Sequence, residues 1–319
     1  IFIMKLRCIL RYLLIAIFTL VLFSMSFLNG VIHASTEIPD DEIWIIIRGD
    51  DIGFCHGANL AFEECYKNGI LTSAEIMVPP PWFNEAVKIL NENPEIDVGV
   101  HLTLTSEWLL YRWGPVVSLT DNPPSFVDEE GYFYYRERPT PEFDEIFESP
   151  YSFLGSNPKL DEVGRELRAQ IELAIEKIPH ISHVSCHMGA AVATPELKEL
   201  VRKLAREYGL IPDWEFRDRM KIAVDYFFVP PEEKESVLVS VLQNIEPGLW
   251  YFTCHPGLNT PEMRAITSPA LDPDIRMSIY REAVTKALTS EKVKQIIKDR
   301  NIKLVSHRDL IEAGFFKER

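Results

Sequence analysis

The run WIIIRGDDIGFCH, Trp44–His56, ends an apolar, β-branched stretch in two adjacent carboxylates, Asp50 and Asp51. Three histidines stand at comparable places further on: His101 in DVGVHL, His187 closing SHVSCH, and His255 closing WYFTCH before Pro-Gly. An apolar run of this kind reads as a strand buried on both faces, and two neighbouring like charges repel at its end. A cation that neutralises one carboxylate makes the pair tolerable and lets the other act as a base. One carboxylate with two imidazoles leaves coordination positions open, a donor set suited to Zn²⁺ and other first-row divalent ions. Such an ion lowers the pKa of bound water and polarises a carbonyl. An unrelated set of polar strand ends is the alternative reading of the same residues.

The elements around these residues alternate. EIWIIIR, TSAEIMV, IDVGVHLTL, ISHVSCH, LWYFTCH and IKLVSHRDL have strand character. Between them lie helix-like segments such as GANLAFEECYKNGI, PWFNEAVKILNEN, VGRELRAQIELAIEKI, TPELKELVRKLAREYG and MSIYREAVTKALTSEKVKQIIKD. Alternation of this kind implies parallel strands joined by crossover helices. The expected fold is α/β, a distorted (β/α) barrel of about seven parallel strands, with an open doubly wound sheet second. In either, the C-terminal ends of the strands form the functional face. Residues 106–160 break the rhythm, rich in proline and aromatics and without helical period. They read as a long inserted rim loop with a hairpin turning at 128–131, and loops of this length in compact domains are usually functional. No GxGxxG or Walker loop is present to favour a nucleotide-binding version.

The N-terminus is of another kind. Lys5, Arg7 and Arg11 precede an uninterrupted apolar run and then a small-residue stretch ending at Ala34. That is the layout of a signal peptide or an N-terminal anchor over residues 1–34, which leaves 35–319 as a single barrel domain and an exported protein, periplasmic, secreted or membrane-anchored. Removing 1–34 takes away three basic residues and no acidic one, so the net charge goes from −15 to −18. A chain this acidic lacks the basic face that nucleic acid requires, and membrane contact is expected only through an uncleaved leader. Of the cysteines outside the leader, Cys55, Cys65, Cys186 and Cys254 form no close-spaced framework and read as small buried hydrophobes. Cys186 and Cys254, each preceding a histidine on a strand, are expected to face away from it.

Four stretches, RGDDIGFCHGAN, VGVHLTLTSEW, SHVSCHMG and FTCHPG, resemble in order the motifs of the YdjC-like carbohydrate deacetylases, a family distantly similar to NodB-type polysaccharide deacetylases. The resemblance runs from about Ile43 to Leu310. It implies a distorted β/α barrel that removes N-acetyl groups from amino sugars or oligosaccharides by attack of a metal-bound water. It also implies one divalent ion, Zn²⁺ first, with Mg²⁺, Mn²⁺, Ni²⁺ or Co²⁺ as alternatives. By the resemblance Asp51, His101 and His187 bind the metal, Asp50 is the general base, and His255 lies near the water or the leaving group, where a protonated imidazole could donate to the amine. The match departs from the family at Ser185–Ala190, where a neighbouring acid and later histidines are absent, and at Arg48-Gly49, which replaces the more usual Asn-Ala.

Around this set, His56, Trp108 and Trp113 are candidate substrate contacts, with Tyr111 and Tyr132 as further ring-stacking aromatics. The plainer reading is a turn residue for His56 and loop packing for the aromatics. Asn59 either caps a helix or touches substrate, and Arg48 balances local acidic charge. His183, four residues before His187 on one strand face, reads as a core residue or a support for the site, and His180 and His307 receive no role. The competing functions are a catalytically weak glycan-binding protein on the same barrel, which loss of a ligand residue would have favoured, and a metal-dependent hydrolase of another amide or a phosphoester. A phosphatase would show a two-metal ligand set or basic phosphate clamps, neither of which is evident.

Overall fold

Ile45, Ile46 and Ile47 are all fully buried, which places strand β1 (Ile43–Ile52) at the centre of a sheet covered on both sides. The computed structural model describes residues 38–118, 123–141, 145–147, 151–268 and 276–316. The expected leader, 1–34, lies outside them, and no helix among the described residues is long and apolar enough to cross a membrane. The other strands are β2 (Ser73–Ile76), β3 (Asp97–Leu102), β4 (Ile181–Cys186), β5 (Ile211–Pro212), β6 (Lys221–Ile222), β7 (Gly248–Cys254) and β8 (Lys303–Leu304).

Every pairing between these strands is parallel, in the order β5-β4-β3-β2-β1-β7-β6. Read as a circle, that is the order of a β/α barrel opened between β5 and β6. The two-residue β8 pairs with Trp44 and Ile45 of β1. The fold is therefore α/β, seven parallel strands in a curled half-barrel with β8 attached beside them. The sequence pattern missed β5 and β6, which are too short to carry a period.

The crossovers are α1 (His56–Lys67), α2 (Phe83–Glu92), α3 (Leu160–Lys177), α4 (Pro195–Glu207), α5 (Asp213–Arg217), α6 (Lys234–Asn244), α7 (Pro261–Ala265), α8 (Met277–Thr289) and α9 (Glu291–Asp299), and α10 (His307–Glu312) follows the last strand. α4 shows how the sequence sets them. Thr194 accepts a hydrogen bond from the Leu197 amide, Pro195 opens the first turn, and Leu197, Val201, Leu204 and Ala205 are the buried stripe. The segment read as one helix after Met277 is two, because Ser290 caps a new start by accepting from the Val293 amide.

The insertion contains the expected hairpin: Val127 bridges Phe133, and the Asp128 amide donates to the Tyr132 carbonyl at 2.9 Å. Its aromatics Phe126, Phe133 and Phe153 are fully buried. Glu166 of α3 accepts from the amides of Val116 and Val117, each at 3.0 Å, so the loop is bolted to the barrel wall.

Candidate active site

The two aspartates reach one place through a kink in the strand. Asp51 has φ +79°, and the register between β1 and β2 shifts between Asp50 and Ile52. A residue in the left-handed region at a bulge breaks the usual alternation of side chains. Aspartate tolerates that conformation better than most residues, and such strain collects at functional sites. Both carboxylates consequently line one cavity of about 410 Å³, together with His101, Glu107, Trp108, His187, His255 and Arg281.

Asp51 Oδ1 lies 3.5 Å from Nε2 of His101 and 3.2 Å from Nδ1 of His187. It is buried, yet no hydrogen bond reaches it. Asp51, His101 and His187 each offer one ligand atom within 4.8 Å of the others. An orphaned carboxylate oxygen between two imidazole nitrogens, all buried, fits a divalent cation. The other oxygen, Oδ2, accepts from Arg281 of α8 at 2.7 Å. Against the cost of burial, Arg281 and His187 hold this carboxyl well below the usual carboxylate range. For His187, burial disfavours the charge, but Glu107 and Asp51 on its two sides raise it to about 10.

His187 lacks a neighbouring acid on its own strand. Glu107, in the loop after β3, supplies one, with Oε2 3.0 Å from Nε2 of His187. The sequence reading gave Glu107 no role, although it lies inside the VGVHLTLTSEW motif; nothing in spacing shows that a residue on one loop reaches a histidine 80 positions later. Arg48 does more than balance charge. It is buried, donates to both oxygens of Asp50 at 2.5 and 2.7 Å, and also donates to Asp213 at 2.7 Å and the Tyr251 hydroxyl at 2.6 Å. Asp50 is thereby fixed on the cavity floor, 3.9 Å from Nε2 of His101.

The other expected contacts sort by position. His255 lines the cavity, with its ring edge-on to Phe227 at 5.2 Å. Burial pushes it down to about 4, which favours the neutral imidazole. Trp108 lines the cavity but is only 3% exposed. Trp113, also 3% exposed, packs behind it, donating to the Thr105 carbonyl at 3.0 Å. His56 does not line the cavity; it pairs with Glu85 at 2.9 Å and stacks on Trp82. Tyr111 donates to the Phe54 carbonyl, Tyr132 covers Arg112, and Asn59 ties Gly53 to Trp82 and Glu85. The exposed aromatics at the cavity are instead Phe227 and Phe228, the latter 72% exposed. They precede α6 in a segment without strand or helix period, which hid them.

The four cysteines among the described residues are free thiols, Cys55, Cys65 and Cys254 buried. Cys186 is half-buried on the cavity wall rather than turned away from it, because the chain leaves the strand at Cys186 and turns into the short helix that begins at His187. Burial raises its thiol well above the usual range, which leaves it a poor nucleophile.

A second group, Glu75, His183 and His307, also brings ligand-type atoms together. The rings of His183 and His307 stack with centroids 3.7 Å apart and planes 28° from parallel. Lone pairs in stacked rings run side by side and do not converge on one ion. Glu75 is already engaged with Nε2 of His183 at 2.7 Å. This group is a hydrogen-bonded core network.

An α/β half-barrel with an Asp-His-His donor set at its C-terminal rim defines a class, and comparison places the chain in it. The model of the YdjC-like protein family matches residues 44–299: the chain belongs to that family. A carbohydrate deacetylase of Thermoanaerobacter pseudethanolicus is 29% identical over 273 residues, 83% of this chain and 98% of that protein. One from Thermus thermophilus is 32% identical over 244 residues, 70% of this chain and 80% of the relative. Among solved structures, an Enterococcus faecalis protein that carries a provisional name as a cellobiose-phosphate cleavage protein shares the fold. Its TM-score is 0.65 at 24% identity, over 85% of this chain and 99% of that one.

Proposed function

We propose that this protein is an exported, divalent-metal-dependent hydrolase that removes N-acetyl groups from amino sugars or oligosaccharides. The observation that carries the metal is the buried, unbonded Oδ1 of Asp51 between His101 and His187; family membership and the named relatives support the substrate class. The basic-then-apolar N-terminal segment supports export.

Asp51, His101 and His187 would hold a divalent ion, which would supply Lewis acidity to a water and to the acetyl carbonyl. Asp50 takes the proton from the attacking water, and Arg48 holds that carboxylate in one orientation for the transfer. The C–O bond forms, the C–N bond breaks, and the nitrogen needs one proton. His255 is neutral at pH 7, so it has none to spare at the start. The proton delivered to the amine is the one Asp50 removed, passed directly or through His255. Phe227 and Phe228 offer apolar faces to sugar rings at the mouth.

The test is acetate release from N-acetylglucosamine oligomers by purified protein, as isolated, chelated, and restored with Zn²⁺, Ni²⁺, Co²⁺ or Mn²⁺. Release that follows the metal and is lost in Asp50→Asn supports the reading. Retained metal binding with no release from any oligomer would sink the substrate class.

A further inference from the structure

Below the rim the barrel interior is polar along three adjacent strands. Residues at alternate positions face inward: Ser73 and Glu75 on β2, Asp97, Gly99 and His101 on β3, His183 and Ser185 on β4, with His187 just past its end. Glu75, Gly99 and His183 are in register across the three strands, and His101 pairs with Ser185 one step higher. Gly99 opens the passage between them. A Cβ there would meet Glu75 Oε2 at 2.3 Å and His183 Nε2 at 2.4 Å, so the contact between β2 and β4 exists only because β3 carries glycine at that level.

Through this gap Glu75 reaches two partners. One oxygen meets Nε2 of His183 at 2.7 Å, and the other accepts a short hydrogen bond from the Ser185 hydroxyl. Arg48 Nε lies 3.6 Å from the first oxygen. On its other side, Ser185 Oγ is 2.7 Å from Nδ1 of His101. All four residues, Glu75, His101, His183 and Ser185, are buried, so no solvent supplies an alternative donor.

We propose that Glu75, acting through Ser185, fixes His101 as the Nδ1–H tautomer, with the unprotonated Nε2 turned to Asp51. The protons available in this network fix the assignment. A carboxylate surrounded by His183, Ser185 and Arg48 is an acceptor only. Ser185 has a single hydroxyl proton and commits it to Glu75. Its oxygen can then only accept from His101, so Nδ1 of His101 carries a proton, and the neutral ring that binds a metal keeps its lone pair on Nε2. The depressed titration of Glu75, which His183 and Arg48 bring about against burial, agrees with this assignment. Glu75 is a positioning residue, two bonds removed from the ligand atom. The inference rests on the proposed function only in taking Nε2 of His101 as that atom.

Two-bond ¹H–¹⁵N correlation on metal-free protein labelled at histidine, with His101→Gln for assignment, reads the tautomer directly. Wild-type His101 is expected with its proton on Nδ1 alone. In Ser185→Ala and Glu75→Gln, folded by circular dichroism, the Nε2–H form is expected to appear, and Zn²⁺ affinity to fall about 10- to 100-fold. A proton on Nε2 in the wild type, which needs no variant to detect, overturns the proposal, as does an unchanged tautomer in a folded Ser185→Ala. Loss of all metal binding or activity in a wild type that shows the Nδ1–H form would sink the deacetylase reading and leave this inference standing.

Discussion

Replacing Arg48 by methionine keeps a long apolar stem and removes a guanidinium that makes four hydrogen bonds, two to Asp50 and one each to Asp213 and Tyr251. Asp50 stays behind buried without its guanidinium, with Glu75 close by, and Asp213 keeps only Arg217 at 3.2 Å. Removing one partner of a buried ion cluster costs about 3–5 kcal/mol, because the charges left behind lose their compensation. For a domain of this size that is a fall in Tm of roughly 6–20 °C. Arg48→Lys restores a charge but not the fork that grips both oxygens of Asp50, so it should recover stability better than turnover. The double variant Arg48→Met/Asp213→Asn should lose less stability than the sum of its parts, by about 1–3 kcal/mol, since the two residues share one network. Released from Arg48, the Asp50 carboxylate is free to rotate, and misplacement of a base by about 1 Å costs on the order of 100-fold in kcat. Thermal melts of metal-free protein and steady-state acetate release measure the two effects. A folded Arg48→Met with Tm within about 2 °C of wild type and unchanged kcat would refute the assignment of Arg48 as the anchor of Asp50.

Three further outcomes follow from the same geometry. Glu107→Gln removes the carboxylate opposite His187 and should weaken Zn²⁺ binding about 10- to 100-fold in a competition titration, with little change in Tm. Asp97 titrates near 2 in the folded protein, held down against burial by His307 and His183. Its folded pKa is lower than its unfolded one, so its contribution of about 2–3 kcal/mol is complete above about pH 5 and is lost as pH falls toward 2; denaturant melts between pH 5 and 2 should show a shallower acid slope in Asp97→Asn. Phe228→Ala should raise KM for long oligomers about 5-fold, one ring's stacking of roughly 1 kcal/mol, while kcat and Tm stay put, because the ring is largely exposed at the cavity mouth.

The strand ends were legible because each combines an apolar run with a sudden polar residue: Asp50, Asp51, His101, His187 and His255 all line the cavity. The circular order of strands followed from the alternation with helices. The supports were not legible. Glu107 and Arg281 reach the site from a loop and from α8, and neither breaks a period that a sequence pattern can show. Arg48 and Glu75 look like ordinary charges on strands, and only the barrel's curvature turns them inward. Trp113 and His56 were drawn to the site by residue type, whereas burial keeps Trp113 behind the cavity wall, its ring 6.5 Å from that of His187, and the pairing with Glu85 turns His56 aside. Asp51 was the informative oddity: a second carboxylate on a strand belongs outside, and only the left-handed bulge brings it in.

The central claim is that Asp51, His101 and His187 hold one divalent ion. Calorimetric titration of chelated wild-type protein with Zn²⁺, beside Asp51→Ala and His187→Ala, tests it most directly. The account predicts one tight site per chain, abolished in both variants while their circular dichroism remains that of a folded α/β protein. Tight binding that survives both substitutions, or no binding by the wild type, would contradict it.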